Sequence, residues 1–354
     1  MVFVWNLRWL SKHLDFLTPA VAFGLLIYGN WAYIHKFAIK KLFHQHGRLA
    51  TAVGLIATIG VLDICVLLIW VQVLLVGPGA QKTIEPYTLL PPAQVTDPRA
   101  ESFTSPQVNK PPLIYQCDEN GYPTWCAHCQ SVKSLRTHHS GRTGSCVFKF
   151  DHYCGWLGTL IGAGNYLLFI QFLVYMDCLL LIMWISMSPF IRVYTFRRDG
   201  NLIAIYILSV WCSLFVTGLL TAHIYMISLN LTSLEGIILK KTPKKNAEPK
   251  PYYVCYKNPK DHCRYVIKLT GPQFMSIWRK CTIWANWIDQ LGERAYLWFV
   301  PIYTSKGKSR DIESAFDETG SRINDKILTL IDGKLQSGEY LKRFEAYGDG
   351  HDEL

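Results

Sequence analysis

The sequence predicts an all-α, multi-pass membrane protein: four transmembrane helices, a cytosolic cysteine-rich loop between helices 2 and 3, and a cytosolic C-terminal tail. Three observations carry this. Half of the 354 residues are hydrophobic, and they gather in long runs instead of being dispersed as in soluble domains. Four of these runs meet or approach the roughly 20 apolar residues that a bilayer span requires. The only long polar loop between them holds Cys126, Cys129, His139 and Cys146, followed by Asp151-His152-Tyr153-Cys154.

In chain order, the first run covers residues 16–34. It contains Asn30, so a buried or interfacial helix is its alternative. The second, 50–76, is the clearest; the third and fourth cover 166–191 and 202–229. Asp63, Asp177 and His223 lie inside these spans. Intramembrane ionisable groups often serve function, but interhelical hydrogen bonding is the first expectation for these three. The corresponding segments are 1–76 (N-terminus and helices 1–2), 77–116 (linker), 117–165 (cysteine-rich domain), 166–230 (helices 3–4) and 231–354 (tail).

Two helices separate the central loop from the tail, so both lie on one side. Lys240, Lys241, Lys244 and Lys245 follow the fourth run, and the positive-inside rule makes that side cytosolic. Lys36, Lys40, Lys41 and Arg48, read as a first short loop, oppose this orientation. The net charge of +10 fits cytosolic loops facing anionic lipid. No basic-aromatic nucleic-acid motif is present, so nucleic acid is not an expected partner. The cysteines do not form a secreted disulfide pattern: Cys65, Cys178 and Cys212 lie in apolar runs, and the central loop has metal- and thiol-like spacing. No cleavable signal peptide is expected. The C-terminal His351-Asp352-Glu353-Leu354 matches a lumenal retrieval address. On a cytosolic tail the match is fortuitous.

Pro78, Pro86, Pro91, Pro92, Pro98, Pro106, Pro111 and Pro112 mark residues 77–116 as an extended linker. In the tail, Phe274, Ile277, Trp278, Cys281, Trp284, Ile288 and Leu291 fall at helical spacing. The helix they predict either lies on the membrane surface or packs within the tail. A second amphipathic stretch covers 323–331, and no internal repeat appears.

The chemistry rests on Asp151, His152 and Cys154. A thiolate is the nucleophilic form of cysteine, and a free thiol is mostly protonated at neutral pH. His152 can take the proton or hold the thiolate as an ion pair, and Asp151 can orient it. Cys126-x-x-Cys129, with His139 and Cys146, supplies four metal ligands; histidine among them favours Zn2+ over an iron–sulfur cluster.

This ordered set resembles the DHHC protein S-acyltransferases (palmitoyltransferases), and among them the fungal members that read DHYC. The resemblance covers residues 117–169 at motif level, through Cys126-x-x-Cys129, His138-His139, Cys146-Val147, Asp151-His152-Tyr153-Cys154 and Gly162/Asn165/Phe169, and the four apolar runs at the level of architecture. The family has a second zinc site, whose positions here hold Ser140, Thr143, Tyr153 and Leu160. All are non-ligands, which implies one retained zinc. His138 is then a packing neighbour. Gly77-Pro78-Gly79 stands where the family has Asp-Pro-Gly, and Gly155 where it commonly has proline. Thr232-Ser233-Leu234-Glu235 resembles its Thr-Thr-x-Glu element, which helps hold the catalytic loop.

The resemblance implies transfer in two steps. Cys154 takes the acyl group from palmitoyl-CoA, then passes it to membrane-proximal cysteines of substrate proteins. Trp156 is expected to contact the start of the acyl chain or to anchor at the interface. Each buried CH2 contributes roughly 0.8 kcal/mol, so cavity depth can read chain length. Asn165 is expected to bond backbone or helix ends. The resemblance implies an endomembrane or plasma-membrane protein with its catalytic loop in the cytosol. The alternative is a non-catalytic zinc-ribbon adaptor, which the changes at the second zinc site, Gly77 and Gly155 would fit. The intact Asp151, His152 and Cys154 weigh more.

Overall fold

A computed structural model describes residues 2–87, 111–192, 198–240, 251–303 and 323–344, with the side chains of 2–16 excepted. Much of the linker, Lys241 to Lys245, the charged stretch after Lys306 and the terminal His351 to Leu354 lie outside the described residues. The chain divides into two compact units: Met1–Pro78, Asp151–Ile227 and Gln290–Thr304 form one; Gly79–Phe150, Ser228–Asp289 and Ser305–Leu354 form the other.

The first unit holds four helices. α1 is Val2–Trp31, continued by π-helical winding over Ala32–Gln45; α2 is Leu49–Val76, α3 Tyr166–Met187 and α4 Gly200–Ser228. Four stretches in these helices are long and apolar enough to cross a membrane, the first being Leu17–Gln45. The first run is thus longer than the sequence suggests. Lys36, Lys40 and Lys41 fall inside the helix, not in a loop; Lys36 Nζ lies 3.5 Å from Asp199, and Lys41 is buried. The wider winding carries them on, with His46 N–H donating to Lys41 O, five residues back, at 3.2 Å.

Tyr33, Phe37 and Leu42 of α1 pack with Ile59 of α2, Leu179 and Met183 of α3, and Ile205 of α4. Polar side chains link the same helices. Asn30 Nδ2 donates to Asp63 Oδ1 at 2.9 Å, which pairs the two polar side chains within the spans. Ser213 and Thr217 donate to Asp177 at 3.2 and 2.9 Å. In hydrocarbon an unpaired polar group costs more than in water, so these pairs let polar residues sit in a span. The expectation of interhelical bonding for Asp63 and Asp177 is met.

Residues 295–303 of the tail also belong to this unit. Gln72 of α2 donates to Pro301 O at 2.9 Å and accepts from Tyr303 N–H at 2.7 Å. Gln171 of α3 donates to Leu297 O and Val300 O at 2.9 and 2.8 Å.

The second unit is built on an antiparallel four-stranded sheet. β1 (Ile114–Cys117) pairs with β8 (Tyr252–Lys257), β8 with β9 (Arg264–Leu269), and β9 with β10 (Lys342–Phe344). Tyr115, Cys117, Val132, Cys255 and Val266 form its core with Ile84 and Tyr87. Residues 114–116, read as linker, therefore supply a strand to the tail's sheet. This pairing joins Ile114 to Tyr256, far apart in the chain, and local sequence pattern does not reveal it.

The short strands of the central loop make hairpins: β2 (Trp125–Cys126) with β3 (Ser131–Val132), β4 (His138–Ser140) with β5 (Ser145–Val147), and in the first unit β6 (His152–Cys154) with β7 (Thr159–Ile161). After α4 come α5 (Ser233–Lys240), α6 (Gly271–Met275), α7 (Ile283–Leu291) and α8 (Asp325–Gln336). The single helix expected over 274–291 is broken between α6 and α7. Thr282 Oγ1 accepts from Ala285 N–H at 3.1 Å, and Asn286 Oδ1 accepts from Lys280 N–H at 2.7 Å; both stop the chain and restart it. Ile323, Ile327 and Ile331 of the second amphipathic stretch are buried.

Candidate active site and metal centre

Cys154 ends β6, and the hairpin to β7 presents it. Asp151 N–H donates to Ile161 O at 3.0 Å, and Gly158 N–H to Cys154 O at 2.9 Å. Gly158 has φ +72°, and a Cβ there would meet Pro19 Cγ at 2.9 Å, so the turn requires glycine. Asn165 fixes the far end: its Oδ1 accepts from Gly162 N–H at 3.0 Å and its Nδ2 donates to Leu160 O at 2.9 Å. Asn165 thus bonds backbone, as expected. Trp70 of α2 reaches Leu157 O at 3.4 Å.

Asp151 is 2% exposed, and its Oδ2 lies 2.6 Å from His152 Nδ1. Burial alone would lower the His152 pKa. The hydrogen bond that His152 donates to Asp151, the one with Cys154 and the charges of both outweigh it, raising the value to about 9. His152 is therefore a cation at neutral pH beside the Cys154 sulfur. This arrangement can hold a thiolate. The three candidate catalytic residues are brought together.

Cys154 and Trp156 also line an apolar cavity of about 190 Å³, together with Gly29, Phe172, Met176 and Leu179 from the helices. The expected acyl-chain contact, Trp156, is at the cavity but half exposed, at 50%.

Interhelical hydrogen bonding is the expectation for His223 as for Asp63 and Asp177, and the chain meets it. His223 is bonded to Tyr166, whose hydroxyl lies 3.2 Å from His223 Nδ1. Its ring is also 5.0 Å from that of Phe169 and 5.8 Å from that of His152. An ionisable residue in an apolar run was the signal available; its neighbours were not, because they come from other elements.

In the second unit, Cys126, Cys129, His139 and Cys146 place one ligand atom each within 4.8 Å of one another. The β4–β5 register sets His139 opposite Cys146. His139 Nδ1 lies 3.3 Å from Cys129 Sγ and 3.6 Å from Cys126 Sγ. Burial, then the neighbouring Cys126 and Cys129 sulfurs, push the Cys146 thiol up to about 12. Three sulfurs this close cannot ionise together without a cation, so the donor set fits a metal ion.

The positions of the family's second zinc site hold no such set. Ser140 Oγ accepts from Thr143 N–H at 3.3 Å, Thr143 and Ser145 hydroxyls lie 3.1 Å apart, and Tyr153 pairs with Leu160 across the β6–β7 hairpin. Among the described residues, the other cluster of potential ligands is Asp151, His152 and His223. His138 packs its ring against Phe150 at 6.1 Å, as a neighbour and not a ligand.

Glu235, of the Thr-Ser-Leu-Glu element, holds the same unit. Both its oxygens accept from Arg136, at 2.7 Å each, and both residues are buried. Arg136 further donates to Asn230 Oδ1 and O at 3.1 and 3.0 Å.

The family model described as DHHC palmitoyltransferase matches residues 119–240. The chain is similar to Palmitoyltransferase PFA5 of Saccharomyces cerevisiae, at 37% identity over 99% of each chain. It is also similar to Palmitoyltransferase PFA5 of Candida glabrata, at 37% identity over 97% of each. That of Kluyveromyces lactis is 36% identical over 92% of this chain and 94% of its own.

Proposed function

Because the chain belongs to the DHHC palmitoyltransferase family, we propose that it is an integral membrane protein-cysteine S-palmitoyltransferase whose nucleophile is Cys154. The observation that carries this reading is the cationic His152 beside Cys154, with the sulfur opening on an apolar cavity between spans.

His152 and Cys154 act as an imidazolium–thiolate pair, with Asp151 orienting the ring. The Cys154 thiolate attacks the thioester carbonyl of palmitoyl-CoA, its new carbon–sulfur bond replacing the bond to CoA. The CoA thiolate leaves and takes the proton held by His152. His152, now neutral, accepts the proton of an incoming substrate cysteine. That thiolate attacks the acyl carbon and Cys154 leaves as thiolate, which restores the pair. One thioester replaces another in each step, so the protein's task is to activate the thiol and position the groups. Trp156 lines the cavity beside Cys154 and is half exposed, suited to the first carbons of the chain.

Cys126, Cys129, His139 and Cys146 hold one zinc ion. Three thiolates and one imidazole are a structural zinc donor set, and zinc would neutralise the sulfurs and fix the loop's hairpins. The central loop and tail face the cytosol, where acyl-CoA and free thiols are found; Lys240 and the lysines after it support this side. The protein substrates are cysteines near the cytosolic membrane surface, and the host membrane is an endomembrane or the plasma membrane.

Purified protein given an alkyne-palmitoyl-CoA should carry a hydroxylamine-sensitive label that Cys154→Ser lacks. Absence of label from the wild type would support the adaptor reading instead.

A further inference from the structure

His223 is 3% exposed, toward the C-terminal end of the apolar helix α4, and outside the family motifs named above. One ligand-type atom each of Asp151, His152 and His223 lies within 4.8 Å of the others. Phe169 stands edge-on to both imidazoles, at 5.2 Å from His152 and 5.0 Å from His223. Tyr166 contacts His223 Nδ1 at 3.2 Å from the start of α3.

A metal ion is a poor occupant of this cluster. Two ligands on one tetrahedral zinc, each about 2.0 Å from it, stand about 3.3 Å apart. Asp151 Oδ2 and His152 Nδ1 are 2.6 Å apart, the distance of a charge-assisted hydrogen bond. The Asp151–His152 contact is therefore proton-bonded, and His223 stands beside it.

We propose that His223 is a positioning residue for the Asp151–His152 pair, with the Tyr166 hydroxyl donating to Nδ1 so that the Nε2 proton is directed at the Asp151 carboxylate. The proposal rests on the assignment of Cys154 and His152 above. A neutral imidazole carries one N–H and one lone-pair nitrogen, so a donor at Nδ1 leaves the proton on Nε2. A buried carboxylate accepts through several lone pairs and loses stability if they go unmet. With its ligand atom within 4.8 Å of that of Asp151, the His223 N–H dipole on α4 favours the carboxylate orientation that is aligned with His152 Nδ1. Among the described residues, Asp151, Cys154, Tyr166 and His223 are the titratable groups that face His152 and this relay.

The test is the pH dependence of single-turnover acylation of Cys154 in the full chain, in detergent, with palmitoyl-CoA. The wild-type rate should fall on the alkaline side as the His152 cation is lost. His223→Leu should move that limb down by about one pH unit and cut the rate at pH 8 about tenfold, with acyl-CoA affinity unchanged. His223→Gln, which keeps an N–H donor, should restore part of both, and Tyr166→Phe should give a smaller shift of the same sign. If His223→Leu does not fold, Tyr166→Phe and His223→Gln decide the matter by the position of the limb. A uniform loss of rate at every pH, or a limb that stays in place in all variants, overturns the positioning role. Wild type labelled and Cys154→Ser unlabelled, with an unmoved limb, would remove this proposal alone; an unlabelled wild type would remove the parent assignment.

Discussion

Removing the Glu235 carboxylate tests how the loop and tail segment of the second unit are held. Arg136 spends four hydrogen bonds on Glu235 and Asn230, and its side chain is buried with its partner. In Glu235→Leu the guanidinium stays buried with its charge uncompensated, and Thr232 N–H loses an acceptor at 2.8 Å. Breaking one side of such a pair costs roughly 3–5 kcal/mol. Arg136→Met with Glu235→Leu removes both charges and should recover most of that, a coupling of at least about 2 kcal/mol. Hydrogen–deuterium exchange of the backbone around Arg136 and Thr232–Glu235 reads the opening free energy locally. The single variant should exchange on the order of 10²–10³-fold faster, and the double variant nearly like wild type. A single variant that moves by less than about 1 kcal/mol, or a double variant whose loss equals the sum of the two singles, would refute the claim that desolvated charge dominates here.

Two further outcomes follow from the site. The His152 pKa rises from 6.5 in the unfolded chain to about 9, so its stabilising contribution is full below pH 6.5 and lost as pH climbs through 9. Denaturation of wild type against His152→Phe should show a gap of at most about 3 kcal/mol at pH 6 that closes by pH 10; a gap that widens with pH would contradict the sign. Metal analysis of purified protein should find about one zinc per chain, lost in Cys129→Ser/Cys146→Ser with loosening of the β4–β5 hairpin. Two zincs per chain, or one that survives in that variant, would refute the ligand assignment.

The sequence by itself determined the four apolar runs, the Cys126/Cys129/His139/Cys146 donor set, and Asp151, His152 and Cys154. Span length and ligand spacing are local properties, and adjacent residues meet whatever the rest of the chain does. Even so, runs of apolar residues do not mark how a helix ends: Lys36, Lys40 and Lys41 looked like a loop because their charge is visible, whereas the pairing of Lys36 with Asp199 and the burial of Lys41 are not. Likewise the helical spacing from Phe274 to Leu291 carried no trace of the break that Thr282 and Asn286 impose through side-chain bonds.

Only the tertiary structure decided which polar residues meet. Asn30 and Asp63 are 33 residues apart, Tyr166 and His223 57, and Arg136 and Glu235 99. No periodicity links such pairs, because each is created by two elements packing side by side. The same holds for the cavity beneath Cys154, whose walls come from every helix of the bundle and whose depth no single segment encodes. A bare motif points to a candidate nucleophile; the folded bundle alone buries Asp151 beside His152 and lays an apolar cavity against Cys154.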